Sequence, residues 1–352
     1  MTERCADDFR PTASWETLRL RAELLRKLRE FFHQRGFLEV ETPIISADTV
    51  VDRHLDPFAI VADRPASVTP AATMFRAVPS RRLPPGAHCP PPTAHCLWLQ
   101  TSPEFAMKRL LAAGGQAIYQ TSRVFRQAEQ GALHNPEFTL VEWYRAGDSL
   151  DEGIGRTSDL CEALLGRGPA ERMSYGEAFA RHVGLDPHTA RIEDLVAAAR
   201  QGGSSPPESL LPEDRDGWLD WLLADRVQAR LGQGRPLVLY DYPAGQAALA
   251  RIRPGNPPVA ERFELYVSGI ELANGYHELL DAGELRRRIA RANAQRLADG
   301  KPPLPESSRL LAAMEAGLPP AVGVALGFDR LVMLAAGAKT IAEVMAFPWD
   351  RA

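Results

Sequence analysis

Two glutamates, Glu264 and Glu271, flank Ser268 and Gly269 in the stretch "RFELYVSGIELANGYHEL". If Ser268 and Gly269 form a two-residue hairpin turn, Val267 pairs with Ile270, Tyr266 with Glu271 and Glu264 with Ala273, and paired residues share a face. The two carboxylates then point the same way at diagonal distance. Such a pair either holds a divalent cation, Mg²⁺ being the economical choice, or leaves two solvated acids on an outer face. Asn274 and Gly275 are expected to break the strand, so parity does not settle where Tyr276 and Glu278 point.

A second constellation lies upstream. "SRVFRQ" and "HNPEFTLVEWY" are two strand-like runs joined by a polar loop, which suits a hairpin whose loop closes over a nucleotide. Arg126 offers a planar fork of donors to a phosphate, and His134 can reach a more distal one. From Pro136 onward, period-2 alternation puts Phe138, Leu140, Glu142 and Tyr144 on one face and Thr139, Val141 and Trp143 on the other. Phe138 presents either a stacking surface for a purine or ordinary core packing. No GxxxxGK[ST] phosphate loop is present, so a nucleotide must be held by other means. In "GVALGFDR", Gly323 and Gly327 permit close backbone approach ahead of Arg330, a spacing that also serves tight packing. "SPE", residues 102 to 104, is by itself a weak signal, compatible with an ordinary turn and an exposed acid.

The elements that must position these residues can be read from hydrophobic periodicity. Residues 15 to 35 put Leu18, Ala22, Leu25, Leu28 and Phe32 on one helical stripe that stops at Gly36. "FLEVETPII" reads as a strand ended by Pro43. Further strand-like runs occur at "LWLQTSPEF", "AIYQTSRVFR", "FTLVEWYR", "RPLVLYDYP", "RFELYVSGIEL" and near "AVGVALGF". Residues 1–14 form a short tail and 62–95 a Pro-rich loop insertion. About 150–231 is a helical insertion, and helix returns around 283–298. Strands do not alternate regularly with helices, so the fold class is α+β, with an antiparallel hairpin sheet flanked by helices.

With 352 residues and 45% hydrophobic content the chain can bury a large core. A net charge of −4 argues against a polyanion, tRNA included, as the main partner. No run of 18 apolar residues and no apolar leader occurs, so no membrane is expected and the cytoplasm is the expected location. Four cysteines are too few for a disulfide scaffold. In "HCPPPTAHC", His88, Cys89, His95 and Cys96 lack the usual ligand spacing of zinc sites, and a surface loop is the better reading.

Together these segments resemble the three motifs of the class II aminoacyl-tRNA synthetases, in the lysyl branch. "GFLEVETPII" is similar to motif 1, "SRVFRQAEQGALHNPEFTLVEWY" to motif 2 and "GVALGFDRLVML" to motif 3, and "RFELYVSGIELANGYHEL" to the branch's metal- and lysine-binding segment. Only about fourteen residues precede the catalytic part, where lysyl-tRNA synthetases carry an anticodon-binding domain. Together with "GIELANG", "HNPEFT" and Ala325 in place of Gly, this resembles the elongation factor P lysine ligase family. The resemblance implies an ATP-dependent ligase that activates (R)-β-lysine or lysine as an aminoacyl-adenylate and transfers it to a lysine of elongation factor P. A lysyl-tRNA synthetase-like enzyme and a catalytically silent regulatory paralogue are the alternatives.

It further implies ATP and Mg²⁺ as cofactors and a homodimer built on motif 1. Arg126 and Arg330 are the implied catalytic residues. The nucleotide would be held by Arg126, His134, the Asn135 backbone, Phe138, Glu271, Leu272, Gly327 and Arg330, and the metal by Glu264 and Glu271. Ser102, Pro103, Glu104, Glu142, Tyr144, Asn274, Tyr276 and Glu278 would form the lysine pocket. One departure stands out: motif 2 normally reads Phe-Arg-x-Glu, and here "FRQAE" has Ala128, with Glu129 one place later. Leu133 likewise stands where the tRNA synthetases carry Arg.

Overall fold

The computed structural model describes residues 9–63, 74–76, 95–201, 204–208 and 210–352. Helix α1 (Trp15–Gln34) starts where Ser14 accepts the Thr17 N–H at 3.1 Å, and the chain turns out of it at Gly36, whose φ of +74° favours glycine. There follow β1 (Leu38–Glu39), β2 (Ile45–Ser46), β3 (Ala59–Asp63), β4 (Met74–Arg76), β5 (His95–Leu99) and α2 (Glu104–Ala112). The central hairpin is β6 (Ala117–Phe125) with β7 (Glu137–Ala146), followed by α3 (Leu150–Leu165), β8 (Glu171–Ser174), α4 (Tyr175–His182), α5 (Ile192–Arg200) and α6 (Arg215–Leu222). The remaining elements are β9 (Leu237–Pro243), β10 (Ile252–Arg253), β11 (Val259–Val267), β12 (Ile270–His277), α7 (Ala282–Ala298), α8 (Arg309–Gly317), β13 (Ala321–Gly327) and α9 (Phe328–Ala336).

Among the described residues the main sheet has nine strands in the order β1-β6-β7-β13-β12-β11-β9-β8, with β10 on β11. Its centre is antiparallel, as expected. The outer pairs β1/β6 and β8/β9 are parallel, so the sheet is mixed within an α+β fold. A smaller sheet runs β2-β5-β3-β4. It places a strand, Met74–Arg76, inside the stretch expected to be a Pro-rich loop, paired with β3, and β3 and β5 reach into the two ends of that stretch. His88 and Cys89 lie outside the described residues. Among those described, no cluster of three His, Cys, Asp or Glu has metal-binding geometry.

One face of the sheet is apolar. Val141 and Trp143 of β7, Val322, Val324 and Leu326 of β13 and Phe263 and Leu265 of β11 pack with α1, α3 and α9. The buried residues of α1 are Leu24, Leu28, Phe31 and Phe32. Ala22, placed on the buried stripe by periodicity, is exposed, and Leu18 and Leu25 are half-buried. The reason is Phe31: its ring and that of Phe32 meet edge-on at 5.5 Å, and Phe32 stacks on Tyr119 at 4.4 Å, which turns the helix toward its aromatic pair. Helix α3 sits so close to β13 that a Cβ on Gly153 would fall 2.3 Å from Val322 Cγ1. The opposite face carries the polar residues of β7 and β12 beside the small residues of β13, and α2, packed on β7, holds α8 and, through it, α7 on that side. Among the described residues, no helix is long and apolar enough to cross a membrane.

Candidate active site

The polar face of the sheet forms the floor of a cleft of about 1140 Å³. Strand β7 enters it with the alternation expected: Phe138, Leu140, Glu142 and Tyr144 line the cleft, whereas Val141 and Trp143 lie in the core behind. The β6/β7 register, Val124 opposite Phe138 and Gln120 opposite Glu142, holds Arg126 at the hairpin's end, where its N–H donates to Pro136 O at 2.9 Å. The Arg126 guanidinium lies 5.0 Å from the Phe138 ring centroid, its Nε donates to Thr101 O at 3.3 Å, and its Nη1 is 3.7 Å from Glu129 Oε1. Ala128 has a φ of +66°, and this left-handed turn brings Glu129, the acid one place late in the motif, back to Arg126.

Arg330 ties this loop to the neighbouring hairpin. Its Nε donates to Leu133 O at 3.2 Å and its Nη1 to Glu271 O at 2.9 Å, while Nη2 is 2.7 Å from His134 Nε2. An arginine has only donors, so His134 must accept there as the neutral ring. Burial, and then the charge of Arg330, hold its pKa below the usual value. The Asn135 side chain is already committed, donating to Glu137 O at 2.7 Å and accepting from Trp349 N at 3.0 Å, so its backbone is what it has to offer a ligand. A Cβ built on Gly327 meets nothing closer than 3.8 Å, so this glycine leaves free space above the sheet. Asp329, which no motif singled out, is buried beneath and accepts from Thr139 N at 2.6 Å and Arg21 Nη1 at 2.5 Å, locking α9 to β7 and α1.

The second hairpin corrects its expected register. Ser268 and Gly269, at φ of +53° and +77°, make the turn, and Val267/Ile270 and Tyr266/Glu271 pair as expected. The register then shifts, so that Leu265 pairs with Ala273 and Glu264 with Asn274, and Leu272 is the extra, bulged residue. Nor do Asn274 and Gly275 break the strand. β12 runs on to His277, because a Cβ on Gly275 would sit 2.4 Å from the Phe263 ring across the pair. As a result Glu264, Glu271, Asn274 and Tyr276 share a face.

Glu271 opens into the cleft with 37% of its side chain exposed, 3.8 Å from Arg330 Nη1. The surrounding protein and then the charge of Glu264 push it up to about 7. Glu264 is buried just beneath, accepting from Arg262 Nη2 and Tyr266 OH, each at 2.5 Å. Two carboxylates on one face, one open and one with lone pairs to spare, are the residues that would hold a hard divalent cation.

Beyond lies an acidic chamber. Ser102 Oγ donates to Glu142 Oε2 at 2.7 Å and Tyr144 OH to Glu142 Oε1 at 2.5 Å. Glu104, expected to be exposed in a turn, instead opens helix α2 and is buried, because its neighbour at i+4, Lys108, is drawn inward. Lys108 Nζ lies 2.5 Å from both Glu104 Oε1 and Glu278 Oε2, with 3% of its side chain exposed. Burial disfavours its charge, but the two carboxylates outweigh that and raise its pKa above the usual lysine value. One ammonium thus faces three buried carboxylates. Burial, and then Glu104, push Glu142 up to about 7, and burial pushes Glu278 up to about 8 against the pull of Lys108.

Gly323 allows this crowding, since a Cβ there would lie 2.2 Å from both Glu278 Oε1 and Tyr144 Cε1. Asn274 Nδ2 donates to Tyr276 OH at 2.8 Å, while its Oδ1 is without a donor. Ala325 lies between Glu142 and Asn274 in the ladder. Pro103 does not line the cleft; its carbonyl accepts the Ala106 and Met107 N–H groups at the start of α2. Lys108, Asp329 and Arg262 are the functional neighbours that the sequence did not single out. The Glu104/Lys108 spacing was the one available signal, and by itself it resembles a surface ion pair.

Comparisons with known proteins identify the family. The family model for the class II tRNA synthetases (D, K and N) matches residues 1–351. The elongation factor P–(R)-beta-lysine ligase of Vibrio vulnificus is 46% identical over 97% of this chain and 98% of its own. That of Mannheimia succiniciproducens is 46% identical over 96% and 97%, and that of Haemophilus ducreyi 45% identical over 98% and 97%. The chain belongs to the class II tRNA synthetase family, in its branch of elongation factor P–(R)-β-lysine ligases.

Proposed function

We propose that residues 15–352 act as one catalytic unit that activates (R)-β-lysine, or lysine, with ATP and transfers it to a lysine side chain of elongation factor P. The observation that carries this reading is the juxtaposition in one cleft of a cation-poor acidic chamber and a cation-rich ledge. Glu104, Glu142 and Glu278 share a single buried ammonium, and a substrate with two ammonium groups supplies what they lack. An amino acid without the second amine leaves a buried carboxylate unpaired and is rejected. Ala325 adds a methyl group to the chamber wall, which favours the β-amino isomer.

On the ledge, Arg126 and His134 take phosphates. Phe138 and Arg330 enclose the adenine, with Asn135 and Leu272 contributing backbone contacts and Gly327 lying beneath. Mg²⁺ held by Glu271 and Glu264 supplies neutralisation of phosphate charge. The amino-acid carboxylate attacks the α-phosphorus in line, a P–O bond to pyrophosphate breaks, and Arg126 stabilises the charge that grows on the phosphoryl oxygens. The acceptor lysine, deprotonated to its neutral amine, then attacks the acyl carbon, the bond to AMP breaks, and the nitrogen gives up one proton to leave the amide N–H.

Trp15 and Leu38, 68% and 65% exposed, together with Ile44 and Ile45, give the motif 1 region an apolar surface that supports a homodimer. The test is incubation with ATP, Mg²⁺ and (R)-β-lysine or lysine in the presence of elongation factor P or tRNA. The reading expects a mass increase of one aminoacyl group on the protein. Charging of tRNA alone would point instead to the synthetase-like alternative, and absence of any adenylate to the silent paralogue.

A further inference from the structure

The cleft extends well past the acidic chamber, into an annex between α6, α7 and the turn at residues 243–249. Two carboxylates look into it from α6. Asp216 and Asp220 are four residues apart, hence on one helix face, and both line the cleft. Their neighbour Asp214 is fully occupied: it caps α6 by accepting Gly217 N at 3.1 Å and pairs with Arg53 Nη1 at 2.5 Å. Neither Asp216 nor Asp220 forms an ion pair among the described residues. Arg262, whose charge acts on Asp220, is committed to Glu264 at 2.5 Å and to Gln246 O at 2.8 Å.

The two acids are held in place. A Cβ on Gly245 would lie 2.6 Å from Asp216 Oδ1, so glycine at 245 lets the turn close over that carboxylate. Gln246 Nε2 donates to Asp220 Oδ1 at 2.7 Å and to the Asp216 carbonyl at 3.3 Å. Gln246 as a residue is 8% exposed and lines the cleft, and its side-chain Oε1 is buried without a donor. Asp216 is half-buried in the field of Arg215, Arg291 and Arg53, and Asp220 is exposed near Arg262, but neither carboxylate is in an ion pair among the described residues, and the amide oxygen of Gln246 beside them has no donor. A primary ammonium, with three N–H donors, is the group that satisfies all three. The annex reaches the surface beside exposed Glu213 and Arg291, so a side chain carried on another polypeptide can enter it.

We infer that Asp216, Asp220 and Gln246 form a second ammonium subsite, which captures the incoming acceptor lysine before it meets the adenylate. The inference rests on the transfer reaction proposed above and separates the two amines spatially: the activated one in the chamber of Glu142 and Glu278, the acceptor in the annex.

The experiment compares wild-type enzyme with Asp216→Asn/Asp220→Asn and Gln246→Leu. Three rates are measured: ATP–pyrophosphate exchange, trapping of the adenylate by hydroxylamine, and transfer to elongation factor P as a function of its concentration. Hydroxylamine is neutral at the assay pH and needs no carboxylate to receive it. The expected result is a KM for the acceptor protein raised at least 10-fold in the double variant, with exchange and hydroxamate formation within 2-fold of wild type. Gln246→Leu is expected to raise the same KM several-fold. Parallel loss of all three rates would assign the acids to the architecture of the cleft and overturn the inference, as would an acceptor KM within 2-fold of wild type. If the wild-type enzyme itself forms hydroxamate but modifies no protein, the transfer reading fails and this subsite fails with it.

Discussion

Lys108→Met removes the one ammonium among Glu104, Glu142 and Glu278 while keeping most of the side-chain volume. Because Lys108 is 2.5 Å from two carboxylates and its side chain is 3% exposed, the substitution leaves buried acids uncompensated. Breaking such a pair costs about 3–5 kcal/mol. For a chain of this size that corresponds to a fall in Tm of about 4–7 °C near pH 8.

The pH dependence separates charge from packing. Glu278 and Glu142 already sit near 8 and 7 when folded, above their unfolded value, so the native state binds more protons than the unfolded one across this range. Stability is therefore lost as pH rises from about 5 toward 8. Without Lys108 these acids move further up, so the gap between wild type and variant should widen with rising pH and shrink to less than half at pH 5.5. Denaturant titrations at pH 5.5, 7 and 8.5 give the gap directly. An equal loss at all three values would refute the electrostatic account and make Lys108 a packing residue.

The amino-acid KM in pyrophosphate exchange should rise several-fold as pH falls from 8 to 6, because Glu142 and Glu278 must release protons before they can hold ammonium groups; a flat profile would remove them from the pocket. Gly323→Ala forces a methyl group against Glu278 and Tyr144 and should cost about 1–3 kcal/mol by denaturant titration, with a raised amino-acid KM. Arg330→Lys cannot span Leu133 O, Glu271 O and His134 together and should lower exchange roughly 100-fold, read by isotope exchange at saturating ATP. If Glu129 does the work expected of the acid missing at 128, Glu129→Gln should lower exchange about 10-fold while Ala128→Gly changes it less than 2-fold; the reverse order would point to the loop backbone instead.

What the sequence revealed and what it hid divide along physical lines. Alternation along β7 needs only a period of two, so the order of residues alone places Phe138, Glu142 and Tyr144 on one face, and all three line the cleft. The Ser268–Gly269 turn was equally local. The bulge at Leu272 was not, because it is set by the pairing across β11 and β12, and Asn274 and Gly275 read as strand breakers because the room Gly275 leaves for the Phe263 ring across the pair is not visible along the chain. Glu104 read as an exposed acid because its burial depends on Lys108 reaching Glu278, far along the chain. Ala22 was misplaced on α1 because the helix is oriented by a ring stack with Tyr119, which no helical periodicity contains. Local pattern thus recovered α1, the central hairpins and the face of β7, but not α8, β8 or β4, nor the start of α2 inside a run that read as strand, and long-range contact decided burial and register.

Strand β13 bears on how the molecule comes to be. The β11/β12 hairpin closes through the Ser268–Gly269 turn and the β6/β7 hairpin through the loop of residues 126–136, and each brings its own half of the chemistry, Arg126 with Phe138 in one and Glu264 with Glu271 in the other. They do not touch within the sheet; residues 321–327 stand between them and hydrogen-bond to both. Each half can take shape soon after it is synthesised, but the two are joined only when a strand made near the end of translation slides into the gap. Catalytic competence should then appear abruptly and late, and a chain interrupted before residue 321 holds both halves with nothing to set the distance between them.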